Sequence, residues 1–145
     1  MQRRSLGRGR TLAAVGAALM VIGCIVPWWQ VGGTPGITAE SGNGLAGSGI
    51  LVFLVGIATL ALLALPFAAG DRPVGLDRWL SFAILAAVGW IGFGWRVVDL
   101  AMVGALQFTA PAQVLTNGPG LWLAGIGLAI LARAAYLMTR ESAYR

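Results

Sequence analysis

Apolar residues fill four long runs of this chain, and polar or glycine-rich residues fill the gaps between them. The runs are Thr11–Trp29, Leu45–Ala69, Trp79–Gly104 and Gly120–Thr139. A helix rises about 1.5 Å per residue, so runs of this length reach across the roughly 30 Å of a bilayer's hydrocarbon. The pattern predicts an all-α integral membrane protein of four transmembrane helices in an antiparallel up-down bundle, with residues 1–145 forming a single membrane domain. The gaps are a tail at 1–10 and connecting segments at 30–44, 70–78 and 105–119.

Charge gives the four runs a direction. The tail holds four Arg, the 70–78 segment two and the residues after the last run two, whereas 30–44 and 105–119 hold none. Basic residues collect on the cytoplasmic side of membrane proteins. This predicts cytoplasmic termini in a bacterial plasma (inner) membrane, with 30–44 and 105–119 outside. Indole rings prefer the headgroup level, which makes Trp28, Trp29, Trp95 and Trp122 expected anchors at the outer face and Trp79 at the inner one. Trp90 falls near mid-span.

Composition narrows the chemistry. Hydrophobic residues make up 58% of the chain and charged ones 10%, with a mean hydropathy of +0.82; a soluble domain is nearer a quarter charged. Every basic residue is Arg, which suits a GC-rich genome as well as it suits phosphate binding. These Arg flank apolar helices and form no nucleic-acid-binding motif, so anionic lipid headgroups, and no nucleic acid, are their expected partners. With no His and a single Cys, a histidine-based metal or catalytic centre and an internal disulfide are both excluded. No catalytic residue, metal or cofactor is expected.

Two processing signals lie near the start. Arg3-Arg4 matches a twin-arginine signal in a poor polar context. Val21-Ile22-Gly23-Cys24 matches a bacterial lipobox, but Ile-Val-Pro-Trp-Trp follows where lipoproteins carry a polar tether. Cys24 is therefore expected to stay a small apolar packing residue of the first span.

The third run carries the one close pair of opposite charges within a span, Arg96 and Asp99. Counted from Trp79 at one interface, they lie about 26 and about 30 Å further along, close to the opposite headgroups. At i and i+3 they share a helix face, and the expected arrangement is a self-neutralising pair snorkelling to the outer surface. The sharper alternative is a polar site or partner contact facing the bundle interior. Small residues allow close helix approach in membranes, which marks Gly56, Gly89, Gly92, and Gly125 with Ala129, as packing positions. Shifted by 69 residues, Gly49, Leu54, Gly56, Ile57 and Leu62 coincide with Gly118, Leu123, Gly125, Ile126 and Leu131, a weak sign of two related hairpins.

An Arg-rich start, a first span ending in Pro27-Trp28, a glycine-rich loop with Ser41-Gly-Asn-Gly44 and a second span with spaced glycines resemble the small four-span membrane proteins of bacteria with GC-rich genomes. The resemblance covers the layout of most of the chain. It implies a membrane location and carries no site residues over. The expected function is that of an integral accessory or scaffold subunit, packing against other membrane proteins or copies of itself. The alternative is a small transporter, channel-like or small-molecule-binding protein that uses the Arg96/Asp99 region. Transport would call for polar groups near mid-membrane or a broken helix, and the sequence places only Arg96, Asp99 and the Pro66 region in question.

Overall fold

The computed structural model describes residues 7–68, 79–106 and 116–143. Helix α1 covers Arg8–Ile25, α2 Ile50–Ala68, α3 Trp79–Met102 and α4 Pro119–Ala143. All four are long and apolar enough to cross a membrane, the build of a multi-pass membrane protein. The strong contacts pair α1 with α4, α1 with α2, α3 with α4, and α2 with α3, so the helices close a ring in which each has two neighbours.

Local chemistry sets the ends. Proline disfavours helical backbone in the residue before it. Val26, which precedes Pro27, is accordingly extended (φ −72°, ψ 147°), and its N–H closes α1 on the Ile22 carbonyl. The first helix therefore ends at Ile25 and does not run on to Trp29. At the other end α1 starts at Arg8, inside the stretch expected to be tail. Pro66 stands inside α2 without ending it; two further helical residues follow.

The residues between α1 and α2 are more than a connector. Pro27–Val31 forms strand β1 and Glu40–Asn43 forms strand β2, an antiparallel hairpin in an otherwise helical protein. Its turn uses Gly32, Gly33 and Gly36 at φ of 86°, 85° and 92°, backbone that L side chains rarely adopt. A short 3-10 turn, Gly47–Gly49, then leads into α2.

The core is built from small residues of α1 and larger ones of its neighbours. Ala13, Ala17, Met20 and Cys24 are fully buried, together with Val52, Phe82, Leu128 and Leu131. Thr59 is the one polar residue buried as a whole among the described residues. Its hydroxyl donates to the Val55 carbonyl one turn back, at 2.7 Å, the usual way a threonine hides its polarity inside a helix.

The closest helix contact is between the first and last spans. A Cβ at Gly16 would lie 2.8 Å from the Gly127 carbonyl oxygen, and one at Gly127 would lie 2.7 Å from the Gly16 oxygen. Gly23 is equally tight against Ala124 N (2.6 Å) and Gly120 O (2.9 Å), while Gly9 faces the Met138 side chain. Followed from Gly9 to Gly23, the contacts of α1 run back along α4 from Met138 to Gly120. Lipid tails are as apolar as leucine, so helix pairs in a membrane gain mainly from such close packing. The spacing is seven residues on both sides: Gly9, Gly16 and Gly23 on α1, and Gly120, Gly127 and Ala134 on α4. A seven-residue period keeps the small positions on one seam of a supercoiled pair.

Candidate functional site

The charged pair expected from the sequence sits at the end of the ring that carries the hairpin, and that end is built around two indoles. The strand register is Pro27 opposite Asn43 and then Trp29 opposite Gly42, with a shift between Pro27 and Trp29. An extra residue in one strand bends it and re-aims a side chain. Here the residue between those partners is Trp28, and its side chain is 0% exposed. The Trp28 indole N–H donates to the Gly23 carbonyl at 2.8 Å, and its ring meets Phe93 of α3 edge-on at 5.6 Å. Phe93 in turn meets Trp90 edge-on at 5.7 Å. Glycines give both indoles a flat seat. A Cβ at Gly44 would come within 2.5 Å of Trp28 Cε2, and one at Gly42 within 2.5 Å of Trp29 Nε1. The Gly44 N–H, donating to the Cys24 carbonyl at 2.9 Å, ties the far side of the hairpin to α1.

Trp28 is thus a core residue and not a headgroup anchor. The sequence points to the surface because Trp28 and Trp29 follow a span directly; a bulge that turns one of them inward leaves no local signal. Trp29 is half-buried, and its indole N–H is buried with no hydrogen-bond partner. Trp79, Trp95 and Trp122 are exposed, at 42%, 67% and 43%, where an anchor would be free to reach a headgroup.

Arg96 and Asp99 both lie half-buried near the end of α3. Among the described residues no ion pair within 4.0 Å joins them, so the self-neutralising pair is not formed. Sharing a helix face brings two side chains near each other without making them meet. The Arg96 guanidinium instead lies along the 3-10 turn. A Cβ at Gly47, whose φ is +62°, would stand 2.9 Å from its Nη1, so glycine there both permits the turn and makes room for the cation. Arg96 Nε is buried without a hydrogen-bond partner, as is the neighbouring Ser48 hydroxyl. Further in, the one polar residue buried as a whole among the described residues is Thr59, whose hydroxyl is bonded within its own helix. Among the described residues, no three His, Cys, Asp or Glu converge as metal ligands would.

A double-mutant cycle follows from this geometry. Arg96→Ala and Asp99→Ala are expected to purify like the parent, and their effects on thermal stability in detergent should add, with a coupling below about 0.5 kcal/mol. Coupling of several kcal/mol, with the double variant recovering what each single one loses, would show a buried pair instead.

The positions marked for helix packing divide. A Cβ at Gly56 would meet Val21 of α1 at 2.9 Å, at Gly89 Leu128 of α4 at 2.5 Å, at Gly92 Leu51 of α2 at 2.6 Å, and at Gly125 Phe93 of α3 at 3.2 Å. Ala129 is exposed. Under the 69-residue offset, Gly56 facing α1 corresponds to Gly125 facing α3. Gly16 and Gly23 of α1, whose nearest neighbours are backbone atoms of α4, are absent from the set expected from the sequence, although their seven-residue spacing is present in it.

A concavity lies on the outside of the α3–α4 seam at the opposite end of the ring. It is a groove of about 370 Å³ between Trp79, Ala83, Ala86, Ala87 and Trp90 on one side and Ala132, Ala135, Tyr136 and Thr139 on the other. No protein-family model, curated protein or solved structure matches this chain.

Proposed function

We propose that the protein is a non-catalytic integral subunit of the bacterial plasma membrane, a scaffold that packs against other membrane proteins or copies of itself. Its four spans form an antiparallel up-down bundle with both termini and the 70–78 segment in the cytoplasm, the side on which Arg collects, and with the hairpin end outside. The observation that carries this reading is the filling of the interior. Small residues close the α1–α4 seam, and Thr59, the one polar residue buried as a whole among the described residues, spends its hydroxyl on its own helix. A transporter needs polar groups or broken helices near mid-membrane; here Arg96 and Asp99 lie at the rim, where the packed core begins.

The surface offered to partners is α3, the least enclosed of the four helices. Ile84, Val88, Ile91, Trp95, Val98 and Met102 are all exposed on it, in the alternating four- and three-residue steps that interlock with a second helix. Purification in mild detergent tests the proposal. A stoichiometric second subunit or a defined oligomer, cross-linked through a photoreactive residue at Ile91 and not through one at Leu54 of α2, is the expected result. A monomer stabilised by a small solute, with no cross-link at Ile91, would favour transport.

Orientation has its own measurement. In a Cys24→Ala background, a cysteine at Ile37 should react with a membrane-impermeant maleimide added to intact cells, and one at Arg72 only after the membrane is opened. The opposite pattern would invert the bundle.

A further inference from the structure

The groove on the outside of the α3–α4 seam is too short for a helix and suits a different occupant. Its floor is alanine (Ala83 and Ala86 from α3, Ala132 and Ala135 from α4), and its volume is about 370 Å³. Trp79 and Tyr136 stand at one end and Trp90 at the other. Trp79 and Trp90 are eleven residues apart, about 16 Å along the helix, and half of a hydrocarbon core is about 15 Å. The groove therefore covers one leaflet and stops at mid-membrane. A partner helix would follow the seam across both leaflets.

The mouth of the groove is cationic. Arg133 and Arg140 are exposed, three residues before Tyr136 and four after it, on the same face of α4. Arg140 is held there in two ways: its Nη2 donates to the Tyr136 hydroxyl at 2.6 Å, and its guanidinium lies 5.0 Å from the centre of the Tyr136 ring. Arg133 lies seven residues, about 10 Å, deeper, and an exposed arginine can narrow that gap by extending its side chain toward the headgroups. Two guanidinium groups at the headgroup level, above an apolar slot one leaflet deep, match a phosphate ester with an acyl chain below it.

We infer that this groove binds one anionic glycerophospholipid, an acyl chain lying on the alanine floor and the phosphate between Arg133 and Arg140. The site is the same whichever side of the membrane holds the Arg140 end; the orientation proposed above only decides that the lipid comes from the cytoplasmic leaflet.

Native mass spectrometry of the full chain, released from mild detergent and titrated with phosphatidylglycerol or phosphatidylcholine of identical chains, tests the inference. One phosphatidylglycerol should be retained in preference, by about fivefold for each arginine. Arg133→Gln and Arg140→Gln should each remove about that factor and leave phosphatidylcholine unchanged. Ala87→Phe fills the slot from an exposed position and should abolish retention of both lipids. Ala61→Phe, on an exposed face of α2, should change neither. Equal retention of the two lipids, full retention by Ala87→Phe, or equal loss in Ala61→Phe would each overturn the site. So would a dimer that Ala87→Phe dissolves, which would put a second copy in the groove.

Discussion

Gly16→Leu and Gly127→Leu are each expected to leave little folded protein. Both side chains would be built into backbone: the nearest atom to a Cβ at Gly16 is the Gly127 carbonyl oxygen, and at Gly127 it is the Gly16 oxygen. A flexible side chain can swing away from such an intrusion, but a helix backbone moves only as a whole. Overpacking a well-filled core costs about 1–3 kcal/mol and sometimes more, and backbone contact on both sides puts these changes at the top of that range. Thermal denaturation in mild detergent, followed by helical circular dichroism and by size-exclusion profile, gives the readout. Gly94→Ala is the matching control. Nothing lies within 4 Å of its Cβ position, and replacing a helical glycine where space is open should be neutral or stabilise by up to about 1 kcal/mol. A Gly16→Leu protein as stable as the parent would show that the first and last spans do not meet this closely.

Trp28→Ala should be the other severe change, at about 3–5 kcal/mol for emptying a fully enclosed aromatic site. It removes the ring that fills the space between the hairpin and α3, and with it the indole hydrogen bond that ties the hairpin to the end of α1. Trp28→Phe keeps a six-membered ring and loses the bond to the Gly23 carbonyl, about 1 kcal/mol, together with the packing of the second ring, so its cost should fall between that of the hydrogen bond alone and that of Trp28→Ala. Trp95→Phe, at a ring that is 67% exposed, should change stability little. The same denaturation assay ranks the three, and an equal loss in Trp28→Ala and Trp95→Phe would mean that the hairpin end is not packed as described.

These two sites mark what the sequence can and cannot disclose. Span number and approximate position follow from long apolar runs, because nothing else in a short chain produces them, and the four helices lie where those runs are. The hairpin is illegible for a physical reason. Glu40–Asn43 has little of the β-branched or aromatic character that favours strands, so β2 exists because of its partner and the glycines of the turn. Trp28 looks like an anchor because depth can be counted along a helix, whereas the direction of a side chain after a bulge cannot. Arg96 and Asp99 do lie near a helix end, as counting along the span requires. Their i, i+3 spacing says only that two side chains are near each other, and the 3-10 turn with its open Gly47 draws the arginine elsewhere. Gly125 with Ala129 matches a familiar four-residue spacing, while the seam that closes the ring uses seven. That longer rhythm, through Gly9, Gly16 and Gly23, is written in the sequence as plainly as the shorter one.

The α1–α4 seam also bears on how the protein is made. Its two sides are the first and fourth of the four spans, more than ninety residues apart in the chain. While the second and third helices are being synthesised, the glycine face of the first has no partner and must be tolerated by lipid or by the insertion machinery. Chains normally assemble as they emerge, yet the closest contact here waits for the fourth helix. A nascent chain that has made only the first three spans already has hydrophobic segments to hold it in the bilayer and lacks the one that locks them. The arrival of the fourth span is thus the step that closes the ring and covers the glycine face of the first.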